Sequence, residues 1–430
     1  MNKAAIMANN AHAPDNERHA ETLATHFRRA RARSLQLVAP LSAEDACVQA
    51  MPDTSPAKWH LAHVTWFFET FVLESREAPF RPFHPAFREL FNSYYNGIGK
   101  QFPRAERGLL TRPSLDQVLA YRADVDARME VLLTSADAST RATIELGLHH
   151  EQQHQELLLM DIKYLLSLNP LAPAYWNDAS SAKDMASPMR WHNRAAGLYD
   201  IGHDGAGFHF DNETPRHPAW LSTHAVASRL VSNGEYLDFI RDGGYQQASL
   251  WLADGWATRQ RDAWCAPLYW REMDGAWFEF TLHGLQPLKL DAPVCHVSHY
   301  EADAYAQWAA ARLPTEFEWE AAARHGKMRE ADNEADHLHP RASVSGAHFD
   351  DLFGAVWQWT RSAYLPYPGF QAPPGAVGEY NGKFMSNQMV LKGSCCATPA
   401  GHARATYRNF FYAHQRWPFT GIRLARDVNE

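Results

Sequence analysis

The chain has 430 residues, 46% of them apolar and 21% charged, with a formal net charge of −8. That length exceeds what one hydrophobic core usually serves, so two domains are expected, and the acidic balance argues against a nucleic-acid partner, which needs a basic face to displace counterions. No apolar run approaches the roughly 18–20 residues of a membrane helix, and five cysteines are too few and odd in number for a disulfide framework, so no membrane partner is expected and the reading is a cytoplasmic protein.

Residues 1–20 are polar and lack an apolar targeting core, which predicts a disordered tail. From 21 to 168 the pattern is helical. Glu21–Ala39 places Leu23, Phe27, Leu35 and Leu37 as its apolar points. Ser55-Pro56 supplies a cap with proline at the first helical position, opening a helix to about Ser75. A third helix follows Pro113-Ser114 from Leu115 to about Ser135, and a fourth runs from about Ser139 to Leu168, ending at Asn169-Pro170. Four long helices predict a four-helix bundle. The Pro79–Arg112 connection is long enough to imply a function of its own.

Residues 169–189, rich in Pro, Ala, Ser and Asp, read as an interdomain linker. Beyond it, over 190–430, short apolar stretches such as Phe208–Asn212 and Val390–Gly393 alternate with Gly and Pro signals, and two helical segments, Ser232–Asp242 and Ser298–Ala311, interrupt them. The fold class expected for the whole is α+β.

His150-Glu151-Gln152-Gln153-His154 lies inside the fourth helix. Residues four apart share a helix face, so both imidazoles reach one ion. On the helix that opens at Pro56, Trp59, His63, Trp66 and Thr70 form one stripe, which turns His63 toward the bundle interior, where facing helices hold metals. His60 and His149 are expected to face elsewhere. Three neutral imidazoles suit Zn, Cu, Fe or Ni alike. The same HExxH pattern allows a zinc hydrolase with Glu151 as general base. Cys395 and Cys396 read as small buried residues in a turn.

At these residues the chain resembles the iron- and oxygen-dependent sulfoxide synthases of ergothioneine biosynthesis, the hercynine oxygenases. The segments MPDTSPAKWHLAHVTWFFETF, FNSYYNGIG, RGLLTRP, LGLHHEQQHQELLL, VSNGEYLDFIRDGGY, RLPTEFEWEAA and ATYRNFFYAHQRWPFTGIRLARD carry the likeness from about Arg29 to Asp427. It implies a DinB-like four-helix bundle, then a C-type-lectin-like domain of the formylglycine-generating-enzyme type, with the site between them.

The resemblance further implies Fe(II) on His63, His150 and His154, with Gln153 near the substrate imidazole and a catalytic tyrosine pair at Tyr94 and Tyr95. That pair marks the branch using free cysteine. Phe411 stands where the other branch has an acid that helps bind γ-glutamylcysteine. The implied substrates are hercynine, cysteine and O2; the related selenoneine synthases, which take a selenosugar, remain the alternative. Hercynine is a trimethylammonium betaine, which aromatic faces hold by cation–π attraction. Phe410 and Phe411 are the candidates, with Asn409, Arg408 or Arg416 for its carboxylate.

Overall fold

The structure is a computed structural model that describes residues 22–176, 186–324, 338–341 and 349–428; the tail expected at 1–20 lies outside them. The N-terminal region is the expected bundle. Helix α1 (Leu23–Val38) starts at Thr22, whose hydroxyl accepts from Thr25 N at 3.2 Å. Its inner face carries Phe27, Arg31, Ser34 and Leu37, whereas Leu35 is 40% exposed. A buried arginine thus holds a position next to one that the apolar pattern had assigned to the core.

Helix α2 (Ala57–Phe68) is buried along its whole length. Pro56 is its N-cap rather than its first residue, and Ser55 is released to bond elsewhere. The helix continues through a π-helical turn, Glu69–Leu73, into α3 (Glu74–Arg76). The long connection that follows contains the short α4 (Phe87–Leu90) and two 3₁₀ turns, Asn96–Ile98 and Arg104–Leu109. Helix α5 (Leu115–Leu133) opens with a Ser114–Gln117 capping box, and α6 (Ala138–Ser167) with Asp137 as N-cap.

Helix α6 organises the molecule because its faces meet different neighbours. Glu151 and Gln155 bond α1, His150 and His154 face α2, and His149, Gln153, Glu156 and Lys163 bond the C-terminal region. These sets recur at three- and four-residue intervals, as helix geometry requires.

The segment expected as a linker is anchored where it is described. Backbone N–H groups of Tyr175 and Trp176 both donate to Leu282 O at 2.9 Å, and Tyr175 Oη donates to Leu37 O at 2.5 Å. Among the described residues the C-terminal region has four small sheets. The central one orders strands Asn409–Tyr412, Gln388–Gly393, Trp357–Ala363 and Thr420–Gly421, antiparallel except for the last pair. Around it lie α7 (Asn233–Arg241), α8 (Ala253–Arg261), α9 (His299–Trp308), α10 (Glu316–Arg324) and α11 (Glu379–Gly382). Residues 208–212 form a loop and a 3₁₀ turn, not a strand, since their aromatics pack toward α6 rather than alternating. All five cysteines are free thiols, and no described helix is long and apolar enough to cross a membrane.

Candidate metal centre

The ligating atoms of His63, His150 and His154 all lie within 4.8 Å of one another. Two nitrogens bound to one ion about 2.1 Å away sit up to about 4 Å apart, so small side-chain rotations bring the three onto a cation. His63 is sandwiched between Trp59 and Trp66, at ring separations of 4.6 and 5.6 Å.

Hydrogen bonds select the tautomers. His63 Nδ1 donates to Phe91 O at 2.6 Å, which leaves Nε2 as a lone pair. Asp161 accepts from His60 Nε2 at 3.0 Å, so His60 Nδ1 is an acceptor; His154 Nδ1 donates to it at 2.8 Å, leaving His154 Nε2 as a lone pair. His60 therefore does not face elsewhere. It is the middle link of a carboxylate–imidazole–imidazole chain, the arrangement that orients metal ligands. His149 does turn away, stacking on Phe208 at 3.7 Å and bonding His402.

The donor set fits a divalent ion. Burial lowers the pKa of all three histidines, to about 4 for His150, so their lone pairs are available at neutral pH. The buried Nδ1 of His150 has no hydrogen-bond partner among the described residues.

Glu151 is not part of this set. Its carboxylate bonds Ser34 at 2.6 Å and Arg31 at 2.9 Å, and pairs with Arg122 as well. A base committed to Arg31 of α1 and Arg122 of α5 cannot activate water at the histidines, which removes the zinc-hydrolase reading of HExxH.

His63 and His154 open onto a cavity of about 180 Å³ between the two regions, whereas His150 borders a second one. Tyr94, Arg104, Arg107 and Gln153 line the first from the bundle side, and Asn409, Phe410, Phe411, Tyr407 and Trp417 from the other. Gln153 Nε2 donates to Tyr407 Oη at 2.6 Å. Tyr95 lies behind Tyr94, against Trp66, and borders a second cavity of about 310 Å³ with His150 and Gln153. Phe410 is backed by Tyr364 at 4.1 Å.

The two arginines expected to meet a carboxylate are engaged elsewhere. Arg408 sends Nε to Glu316 at 2.8 Å and other donors to Asn212 O and Leu365 O. Arg416 bonds Ala266 O and stacks on Trp264, and it does not line the cavity. Both serve as buried ties within the C-terminal region.

Comparison with known proteins gives the same partition. The DinB superfamily matches residues 26–158, and the sulfatase-modifying factor enzyme 1-like domain matches 194–350 and 337–428. The hercynine oxygenase of Mycobacterium tuberculosis is 33% identical over 436 residues, covering 95% of this chain and 99% of its own length. That of Mycolicibacterium thermoresistibile is 32% identical, covering 96% of each. The chain belongs to the hercynine oxygenase family.

In this family member, sequence reasoning missed His60, Asp161, Arg107 and Tyr407. A signal existed for the first two: Asp161 follows His154 by two helical turns, and His60 precedes His63 by one. Arg107 stacks on Trp59 at 3.4 Å and donates to Ser55 and Ser93, contacts that no local pattern announces. Replacing His60 with Ala is expected to weaken metal affinity about 10–100-fold while the fold is retained. A chelator-competition titration reads this, and unchanged affinity would refute the orienting role.

Proposed function

We propose that the protein is a non-haem Fe(II)- and O2-dependent oxidoreductase that joins the sulfur of cysteine to the imidazole C2 of hercynine. The observation that carries this reading is the convergence of three neutral imidazoles, with no carboxylate among them, beside a cavity that His63 and His154 line together with aromatic rings and arginines. Fe(II) held by His63, His150 and His154 would bring the thiolate, the acceptor imidazole and dioxygen together and activate the last. Overall, the S–H and C2–H bonds break and a C–S bond forms. O2 supplies the sulfoxide oxygen and one water, so the organic substrates lose four electrons.

The chain's own residues bind and orient. Phe410 and Phe411 face the trimethylammonium group, each aromatic contact contributing about 0.5–2 kcal/mol. Asn409 Oδ1 accepts from Phe410 N at 2.9 Å, which leaves its amide N–H groups for hercynine's carboxylate. Gln153, steadied by Tyr407, meets the acceptor imidazole. With Arg408 and Arg416 engaged elsewhere, Arg104 and Arg107 are the cations for the carboxylate of cysteine. Burial, and then the charge of Arg104, destabilise the charged form of Arg107, a cost that an anionic ligand relieves. Burial, then Tyr380 and Glu379, raise the pKa of the Tyr95 phenol, so it keeps its proton for delivery.

The test is anaerobic iron loading, followed by hercynine and O2 with cysteine, γ-glutamylcysteine or a selenosugar in parallel. Mass spectrometry should find the cysteine adduct in the first arm. Product from the selenosugar alone would reassign the donor to selenium, and no oxygen uptake with any donor would end the proposal.

A further inference from the structure

The turn that carries the tyrosine pair is held from both sides, and one of the two holders belongs to the other domain. From within the bundle region, buried Asn92 donates to Tyr95 O at 3.0 Å and to the Gly99 and Lys100 carbonyls at 3.2 Å. From the C-terminal region, α11 reaches across. The N–H groups of Asn96 and Gly97 donate to Glu379 Oε2 and Oε1 at 2.8 and 2.9 Å, so two successive amides grip one carboxylate. One turn later Lys383 Nζ donates to Tyr94 O.

Side chains of the same segment pack on the pair. Tyr380 stacks on Tyr95 at 6.5 Å, and Phe384 meets the Tyr94 ring edge-on at 4.9 Å. Tyr94 itself has φ 68°, a left-handed conformation that a tyrosine adopts only when its surroundings impose it. Gly97 completes the fit: a Cβ there would lie 2.5 Å from Glu379 Oε1. Glycine leaves room for the carboxylate.

We propose that Glu379 and Lys383 are positioning residues: α11 clamps the Tyr94–Gly97 turn, so the tyrosine pair has its working geometry only while the C-terminal region is docked on the bundle. This rests on the reading of Tyr94 and Tyr95 as the proton-delivering pair. Glu379 and Lys383 hydrogen-bond to backbone atoms of the turn, and the Lys383 ammonium also lies over the Tyr94 ring at 5.7 Å; both act through the two phenols.

The experiment compares Glu379→Ala, Lys383→Met, Lys383→Arg and Gly97→Ala with Tyr94→Phe and Tyr95→Phe. In the metal-free full chain, hydrogen exchange at Asn96 and Gly97 should quicken by about tenfold or more in Glu379→Ala and Gly97→Ala, the scale of one lost charge-assisted hydrogen bond. Gly97→Ala matters because it expels the carboxylate sterically without changing charge. In the iron-loaded chain, all three disruptive variants should lower the ratio of coupled product to oxidised donor in the direction set by the Tyr→Phe variants, with metal affinity unchanged. Lys383→Arg, which keeps a donor for Tyr94 O, should restore the ratio. If the Tyr→Phe variants shift the ratio and the clamp variants do not, the clamp is only structural and this proposal fails alone. If neither Tyr→Phe variant shifts it, the role of the tyrosines fails and the clamp proposal fails with it.

Discussion

His150→Ala is expected to lower metal affinity by more than about 100-fold, beyond what loss of an outer-shell partner costs, and to remove turnover with it. His150 is one of three imidazoles whose ligand atoms lie within 4.8 Å of one another, and among the described residues no carboxylate joins that group to replace it. Its buried Nδ1 has no hydrogen-bond partner among the described residues, so truncation breaks no hydrogen bond there, and the apo-protein should still melt cooperatively, lowered only by the cavity left beside Phe67. Elemental analysis with a thermal melt separates the outcomes. A variant that retains both its metal and full activity would dismiss the three-histidine centre.

Glu151→Ala should do the reverse, costing about 3–5 kcal/mol of stability, the scale of a broken buried ion pair. Glu151 is fully buried between Arg31 and Arg122, and although Asp126 still serves Arg31, Arg122 would keep an uncompensated charge. Burial alone would raise the carboxyl's pKa, but Arg122, Arg31 and the Ser34 hydroxyl together hold it near about 2. A folded pKa below the ordinary 4.5 means that the stabilisation is present above about pH 4.5 and is lost as pH falls toward about 2. At about 1.4 kcal/mol per pH unit, a pKa held at about 2 rather than 4.5 is worth roughly 3–4 kcal/mol, the same scale as the loss expected for a broken buried pair. Urea titrations of parent and variant at pH 7 and pH 3 should therefore differ most at pH 7. Glu151→Gln adds a second check: a catalytic base would lose activity with stability intact, whereas this site predicts lost stability with metal affinity kept.

How far the sequence reached depends on whether contacts are local. The spacing of His150 and His154 translates directly into geometry, because a helix of 3.6 residues per turn sets them on one face whatever lies around it. The caps at Ser114, Ser232 and Ser298 are likewise short-range, and the helices they open begin within a residue of their expected starts. His63 was legible one step further out, through the stripe it shares with Trp59 and Trp66.

The rest required the packed chain. Arg408 and Arg416 sit in an aromatic-rich stretch that reads as substrate-binding, yet each is drawn to an acid far along the sequence, Glu316 or Glu301. Glu151 reads as a catalytic base from its motif, and becomes a structural anion because α1 brings Arg31 and α5 brings Arg122 to it. His60 orients His154 because α2 and α6 lie side by side, and the tyrosine turn acquires its clamp from residues some 283 positions away. Periodicity assigns a side chain to a face; which charge waits opposite that face is decided only when distant segments dock. The candidate metal-binding histidines were therefore legible in helical spacing, while the division of the surrounding polar groups between chemistry and support arose from tertiary contact.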